Sequence, residues 1–482
     1  MAVLSGLQPE RVFSYFEKLC SVPHGSGNTK QISDLLVGFA KELGLKYRQD
    51  ELNNVIIWKD ASPGYENAEP IMMQGHMDMV CAKTEDCTKD MAKEGLDFET
   101  DGEFVWAKQT SLGGDDCIGV AMTLAILSDD SLPHPPLEAV FTVDEEVGMD
   151  GAAGLDCSDL KSRKLLNLDC GGEGIFTVSC AGGVRADCFL PGTAEPIGTE
   201  ACYSVTISGL RGGHSGGEIN KGRGSANVLM ARVLYGALEA LGAVRLHDVL
   251  GGKFDNVICS YCEAKVAVPA DKAEAFESFL REYDAILKDE YAASDAGIEL
   301  SFEKADFSTA MSAKDSAVML HTLFAMPHGV QEMSRDFEGL VQTSLNLGMI
   351  SMADDGLHFS FSIRSSVASQ KAMMLQKLRA ILGLAGGSVT EHSAYPGWQY
   401  RRESSFRDLV MQAWKDQTGT DGRIVAIHGG LECGLFIEKM PGLDVVALGP
   451  NQTGIHSVNE KLNVASVGRV YPVLCEILRR SK

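Results

Sequence analysis

Acidic and imidazole side chains in this chain recur at the ends of apolar runs. The stretch "IMMQGHMDMV", residues 71–80, places His76 and Asp78 two positions apart just after a glycine. Residues two apart in a strand project to one face, so this pair would stand together. "LEAVFTV" runs into Asp144, Glu145 and Glu146, "KLLNL" into Asp169, and "LDVVALGPNQTGI" into His456. In "TSLGGDDCIGVAMTLAIL", Asp115 and Asp116 follow a glycine turn where a helical pattern begins. Taken singly, each cluster reads as a helix cap or a solvated turn. Ligands of open α/β sheets gather beyond the carboxyl ends of the strands, and five such clusters on one edge would meet in one crevice. Two histidines with several carboxylates suit zinc, manganese or cobalt better than calcium. More carboxylates than one ion needs point to two ions sharing one of them, and to hydrolysis with an unligated carboxylate as the base.

The elements that must carry these residues show two rhythms. "QPERVFSYFEKLC" and "NTKQISDLLVGFAKELGL" have helical spacing, and the strand-like runs "NVIIWK", "PIMMQG", "LEAVFTV" and "KLLNLD" follow, with a helix near 118–127 among them. The alternation returns late, in "GRIVAIHGG", "LECGLFIEKM", "LDVVALG" and a last helix near 464–480. This predicts an α/β fold, a mixed sheet with helices on both faces. Between the outer blocks, strand and helix patterns from Tyr203 read β-α-β-β-α-β, the split-βαβ order, and a related order recurs from Ser312. The expectation is an α/β domain in two pieces, residues 1–184 and 394–482, around an inserted α+β domain, residues 185–393, made of two split-βαβ-like halves.

The 482 residues are 45% hydrophobic and 23% charged, which is ordinary globular composition. A formal charge of −23 argues against nucleic acid or an anionic membrane as partner. No apolar run approaches the roughly 20 residues that span a bilayer, and "MAVLSGLQPERVF" has no signal-peptide pattern. The 13 cysteines, scattered and odd in number, suit a reducing cytoplasm. Cys259 and Cys262 form the sole C-x-x-C and read as strand residues.

As an ordered set, "GHMD", "SLGGDDCIG", "VDEEVGMDGA", "LNLDCGGEG", "GLRGGHSGGEI" and "GPNQTGIHSVNE" resemble the motifs of the co-catalytic zinc exopeptidases, a family that includes aminoacylases, desuccinylases and dipeptidases. The resemblance covers nearly the whole chain and implies that the split α/β domain is the catalytic one and the insertion a lid or dimerisation-type domain. It implies two divalent metal ions, zinc or else cobalt or manganese, with His76 and Asp169 on one, Glu146 and His456 on the other, and Asp115 bridging. Glu145 would be the general base that takes a proton from the water between the ions, and Asp78 would hold the His76 ring. The Asp115–Asp116 peptide would be cis. His214 would face the oxyanion, Arg364 would clamp a substrate carboxylate, Glu432 would meet the substrate's amino group, and Asn256 is a further carboxylate contact. For Glu432, favourable charge at a helix start competes evenly with that role, and Arg364 has either a buried acid partner or a substrate. The remaining histidines, His24 among them, carry no motif and read as structural. The resemblance favours hydrolysis of dipeptides, X-His included, and allows a homodimer. The alternatives are an N-acyl amino acid deacylase or carboxypeptidase-like enzyme and, with less support, a non-catalytic metal- or peptide-binding protein.

Overall fold

The structure is a computed structural model that describes residues 3–482. The chain forms two compact units, residues 1–179, 400–426 and 431–482 in the first, and 180–399 with 427–430 in the second. These divisions lie a few residues from those expected at 184/185 and 393/394. The four residues 427–430, which the sequence reading left with the catalytic block, belong to the second unit.

The first unit is built on an eight-stranded mixed sheet in the order Lys46–Gln49, Val55–Lys59, Leu137–Thr142, Ile71–His76, Lys164–Asn167, Asp444–Ala447, Ile175–Cys180 and Arg423–Ile427. The third to sixth of these strands run parallel, in registers that pair His76 with Thr142, Gln74 with Asn167 and Ala447 with Asn167. Strands buried on both faces read as unbroken apolar runs, and all six residues of Ile71–His76 and of Leu137–Thr142 are buried. The helix Gly114–Leu127 packs on Ile71–His76, and all but one of its residues are buried. A smaller four-stranded sheet ties Gln452–Thr453 and Lys461–Asn463 to Phe104–Ala107 and Phe98–Thr100, so both ends of the loop carrying His456 are fixed. Among the described residues, no helix is long and apolar enough to cross a membrane.

The second unit has its own core and a sheet in the order Glu299–Lys304, Ala201–Ser208, Cys262–Val268, Arg245–Gly251, Val341–Ala353, Gly356–Ser365, Gly182–Pro191 and Ser388–Tyr395, with Gly329–Met333 added beside Val341–Ala353. The first four strands make the first split-βαβ half. The second half differs from the expectation of two consecutive repeats. Its first strand is Gly182–Pro191, which precedes the whole first half and pairs with Gly356–Ser365 and Ser388–Tyr395. One half is therefore threaded into the other, and two residue pairs, Leu250 with Ser351 and Gly251 with Ile350, join them into one sheet.

Candidate metal centre

The four adjacent parallel strands end at one edge of the sheet. His76 is the last residue of its strand, Glu145 and Glu146 follow Leu137–Thr142 after two residues, Asp169 follows Lys164–Asn167 by two, and His456 lies beyond Asp444–Ala447. Asp115 enters from the start of the helix Gly114–Leu127, where it and Asp116 depart from helical geometry and the peptide joining them is cis, as the resemblance implies.

Asp115 lies between the two histidines. His76 Nε2 is 3.1 Å from its Oδ1, and His456 Nε2 is 3.4 Å from its Oδ2. His76 Nε2 is also 3.9 Å from Asp169 Oδ1, while His456 Nε2 is 2.7 Å from Glu146 Oε1. Three groups have ligand atoms within 4.8 Å of one another: His76–Asp115–Asp169 and Asp115–Glu146–His456, which share Asp115, and His76–Glu145–Glu146.

The electrostatics of this cluster call for positive charge. Burial, reinforced by the Asp115 carboxylate, pushes Asp169 well above the usual carboxyl range. Asp115 itself is held far below that range by its bonds to His456 and His76, against its burial. The same contacts raise His456 to about 10, the bonds to Asp115 and Glu146 leading. Glu145 is raised to about 7 by burial, with the Glu146 and Asp115 carboxylates adding to the shift and His76 opposing it. The neighbouring carboxylates raise His76 as well, against its burial, so both imidazoles are drawn toward the charged form by the surrounding acids. Imidazole and carboxylate donors in two groups with one shared carboxylate fit a pair of borderline divalent ions.

Around the ligands, backbone contacts fix positions. His76 Nδ1 donates to the Asp78 carbonyl at 3.0 Å, closer than the Asp78 carboxylate at 3.5 Å. The strand ends at His76, so Asp78 is not its partner on a strand face as the spacing suggested. Its carboxylate instead accepts from Ser26 Oγ (2.8 Å) and from the backbone N–H groups of Glu145 (3.2 Å) and Glu146 (3.4 Å), which sets the Glu145–Glu146 turn. Glu460, missed by the sequence reading although it closes the quoted "HSVNE", accepts from the N–H groups of Leu112 and Gly114 at 2.8 Å and of Gly113 at 3.2 Å. It cradles the turn that delivers Asp115. Asp116 is buried against Gly75 and Gly119, and a Cβ on Gly75 would stand 2.1 Å from its Oδ2.

Glu432 departs from its expected place at a substrate's amino group. It precedes the helix Cys433–Lys439 without capping it, has no exposed surface, and accepts from Gln74 Nε2 (2.5 Å) and Thr142 Oγ1 (2.7 Å) on neighbouring strands. Burial, then Glu145, raises its pKa to about 8.

The other expected residues lie in the second unit. His214 is exposed in the two-residue strand Gly213–His214, and its Nδ1 accepts from the Gly216 N–H at 3.2 Å, which leaves the ring proton on Nε2. Burial and the Arg364 charge lower its pKa. Arg364 has no acid partner among the described residues. It makes one long bond, 3.4 Å, to the Tyr395 hydroxyl, and its Nε has no partner. The Asn256 carbonyl accepts from Ser215 N–H at 2.9 Å, steadying the His214 turn. His428, given no role by the sequence reading, is buried with its Nε2 2.7 Å from Ser344 Oγ, and burial followed by Arg364 lowers it to about 4.

Residues 72–480 match the family model described as "Peptidase family M20/M25/M40". The chain belongs to this peptidase family. Peptidases of family M20 are metal-dependent hydrolases, in keeping with the cluster above. This M20 chain is 39% identical over 482 residues to the Escherichia coli (strain K12) protein named cytosol non-specific dipeptidase, and the match covers 99% of both chains. A crystal structure of aminoacylhistidine dipeptidase from Vibrio alginolyticus superposes with a TM-score of 0.92 at 35% identity, covering 98% of this chain and 97% of that one. The aminopeptidase PepT of Bacillus cereus ATCC 10987, at TM-score 0.58 and 16% identity over 98% and 99% of the two chains, shares the M20 fold.

Proposed function

We propose that this chain is a dinuclear metallo-dipeptidase that cleaves the peptide bond of unblocked dipeptides, X-His among them, with two zinc ions as its resident metals. The observation that carries the reading is the Asp115 carboxylate presenting one oxygen to His76 and the other to His456 at the end of four parallel strands. His76, Asp115 and Asp169 would hold one ion and Asp115, Glu146 and His456 the other. Bound there, such ions supply Lewis acidity and lower the pKa of water. Glu145 is the one acid of the group without a ligand's place in this assignment. A pKa near neutrality suits it to take a proton from water and return it to the departing amine.

His214 Nε2–H is the donor for the oxyanion, since its other nitrogen is already engaged. The free guanidinium edge of Arg364 suits a terminal carboxylate, and the Asn256 amide is a second contact for that end. Glu432 is a positioning residue that locks the His76 strand to its neighbour. Thirteen free thiols support a reducing, cytoplasmic setting. The names of both similar dipeptidases favour this substrate class over N-acyl amino acids.

The test pairs metal analysis of the purified protein with a panel of dipeptides, X-His included, set against N-acetyl amino acids. Two divalent ions per chain bound at the carboxylate cluster and turnover confined to the dipeptides are expected. Preference for the N-acetyl compounds, or full turnover after removal of metal by a chelator, would overturn the reading.

A further inference from the structure

A second cluster of metal-binding side chains lies in the first unit, apart from the carboxylates. Cys20 ends the helix Glu10–Leu19, His24 lies in the loop that follows, and Cys117 is inside the helix Gly114–Leu127. All three are buried to 1% exposure or less, and their ligand atoms lie within 4.8 Å of one another. His24 Nδ1 donates to the Val22 carbonyl at 2.8 Å, which leaves the lone pair on Nε2, and that buried atom is turned to the Cys117 thiol. A thioether is also at hand. A Cβ placed on Gly113 would stand 3.1 Å from His24 Nε2 and 2.9 Å from Met79 Sδ.

We propose that Cys20, His24 and Cys117 form a binding site for a thiophilic divalent ion of the Zn2+ class, with the Met79 thioether beside it at the Gly113 turn. Tetrahedral coordination by two thiolates and an imidazole separates the sulfurs by about 3.8 Å and each sulfur from the nitrogen by about 3.5 Å. Both fall inside the present span, so small inward shifts suffice. Two thiolates with one divalent ion carry no net charge, the condition a site without exposed surface demands. Each thiol gives up its proton as its sulfur–metal bond forms, so one ion enters and two protons leave. Oxygen-rich ligands at the sheet edge and sulfur ligands here are chemically distinct, so this site does not depend on the dipeptidase reading.

An ion at this place would tie three segments together. They are the end of the first helix, the strand-like contact in which Met79 N–H donates to the His24 carbonyl (3.1 Å) and Ser26 N–H to the Met79 carbonyl (3.3 Å), and the helix Gly114–Leu127.

The experiment loads the full chain, kept reduced, with Co2+ and reads the near-ultraviolet sulfur-to-cobalt charge-transfer band, which carboxylate and imidazole ligands do not produce. Expected are the band, release of two protons as Co2+ binds, loss of the band in Cys20→Ala and separately in His24→Gln, a fall of one ion per chain in each variant, and displacement of the band by Zn2+ without further proton release. The band is expected to persist in Glu146→Gln, where the sheet-edge ions are disturbed, and failure of that other reading is thus told apart. No band in the wild-type protein, or a band that survives both Cys20→Ala and His24→Gln in folded protein, would overturn the proposal.

Discussion

Glu145 and Glu146 are adjacent, chemically identical and differently placed. Glu146 meets His456 at 2.7 Å, whereas Glu145 is perturbed by burial and its neighbours to about 7. Glu145→Gln is expected to keep the wild-type number of ions per chain and to lose about 10²–10⁴-fold in kcat, the usual worth of a general base. Glu146→Gln is expected to lose metal first and activity with it. Elemental analysis beside steady-state kinetics separates the two, and near-normal turnover in Glu145→Gln would refute the assignment. Glu432 provides a pH test on metal-free protein. Its carboxyl, ordinarily near 4.5, is raised to about 8 in the fold. The folded state then holds a proton that the unfolded state releases, so the contribution of Glu432 to stability is greatest below pH 4.5 and is lost as pH rises toward 8. Each unit of difference is worth about 1.4 kcal/mol. Glu432→Gln keeps an oxygen for Gln74 and Thr142, and the fall in Tm of the metal-free protein between pH 5 and 8 should become shallower than in the wild type. An unchanged slope would show that Glu432 does not titrate in this range. Residue types and spacing made the acids legible, but they did not show that Glu432 turns inward, because its partners lie on strands 290 and 358 positions away in sequence.

Strands and turns decide whether those residues meet. The apolar runs announce the parallel strands, and the polar residue after each run announces the ligand edge, so this much is local and readable. Glu460 is the counter-example. Its work is done on N–H groups some 346–348 residues earlier, and a single acid after an asparagine carries no local sign of that. Removing it would strand buried donors beside Asp115. Glu460→Ala is expected to destabilise the protein by about 2–4 kcal/mol and to weaken metal retention, read by chemical denaturation and by dialysis against a chelator. Gly75 works the other way, by what it lacks. A methyl group there would press on Asp116 at 2.1 Å, so Gly75→Ala should cost about 1–3 kcal/mol through overpacking although it adds only one carbon. A Gly75→Ala protein as stable as the wild type would mean that Asp116 can move aside, and that the helix start tolerates more than its burial suggests.

For the whole molecule, the change of rhythm along the chain was enough to foresee an interrupted α/β domain around an α+β block. Which strand completes the second half was not foreseeable from periodicity. Gly182–Pro191 sits in the sequence before the first half, and only pairing with Gly356–Ser365 and Ser388–Tyr395 assigns it. Each unit has its own core. On the proposed reading, the first unit supplies the hydrolytic groups and the second supplies Arg364 and His214, so chemistry and recognition should fail separately. Arg364 tests this most directly, because no acid among the described residues balances it and its loss leaves no buried partner stranded. A charged hydrogen bond is worth about 1.5–3 kcal/mol, so Arg364→Ala should raise KM for dipeptides with a free carboxylate by about 10–100-fold. The wild type should discriminate against the corresponding dipeptide amides, and the variant should not. Metal content and Tm should stay at wild-type values, and Arg364→Lys should restore only part of the discrimination, since an ammonium lacks the two-pronged fit of guanidinium to carboxylate. If the alanine variant still preferred free acids over amides by the wild-type ratio, the carboxylate would have to be recognised elsewhere, and the division of labour between the two units would fall with it.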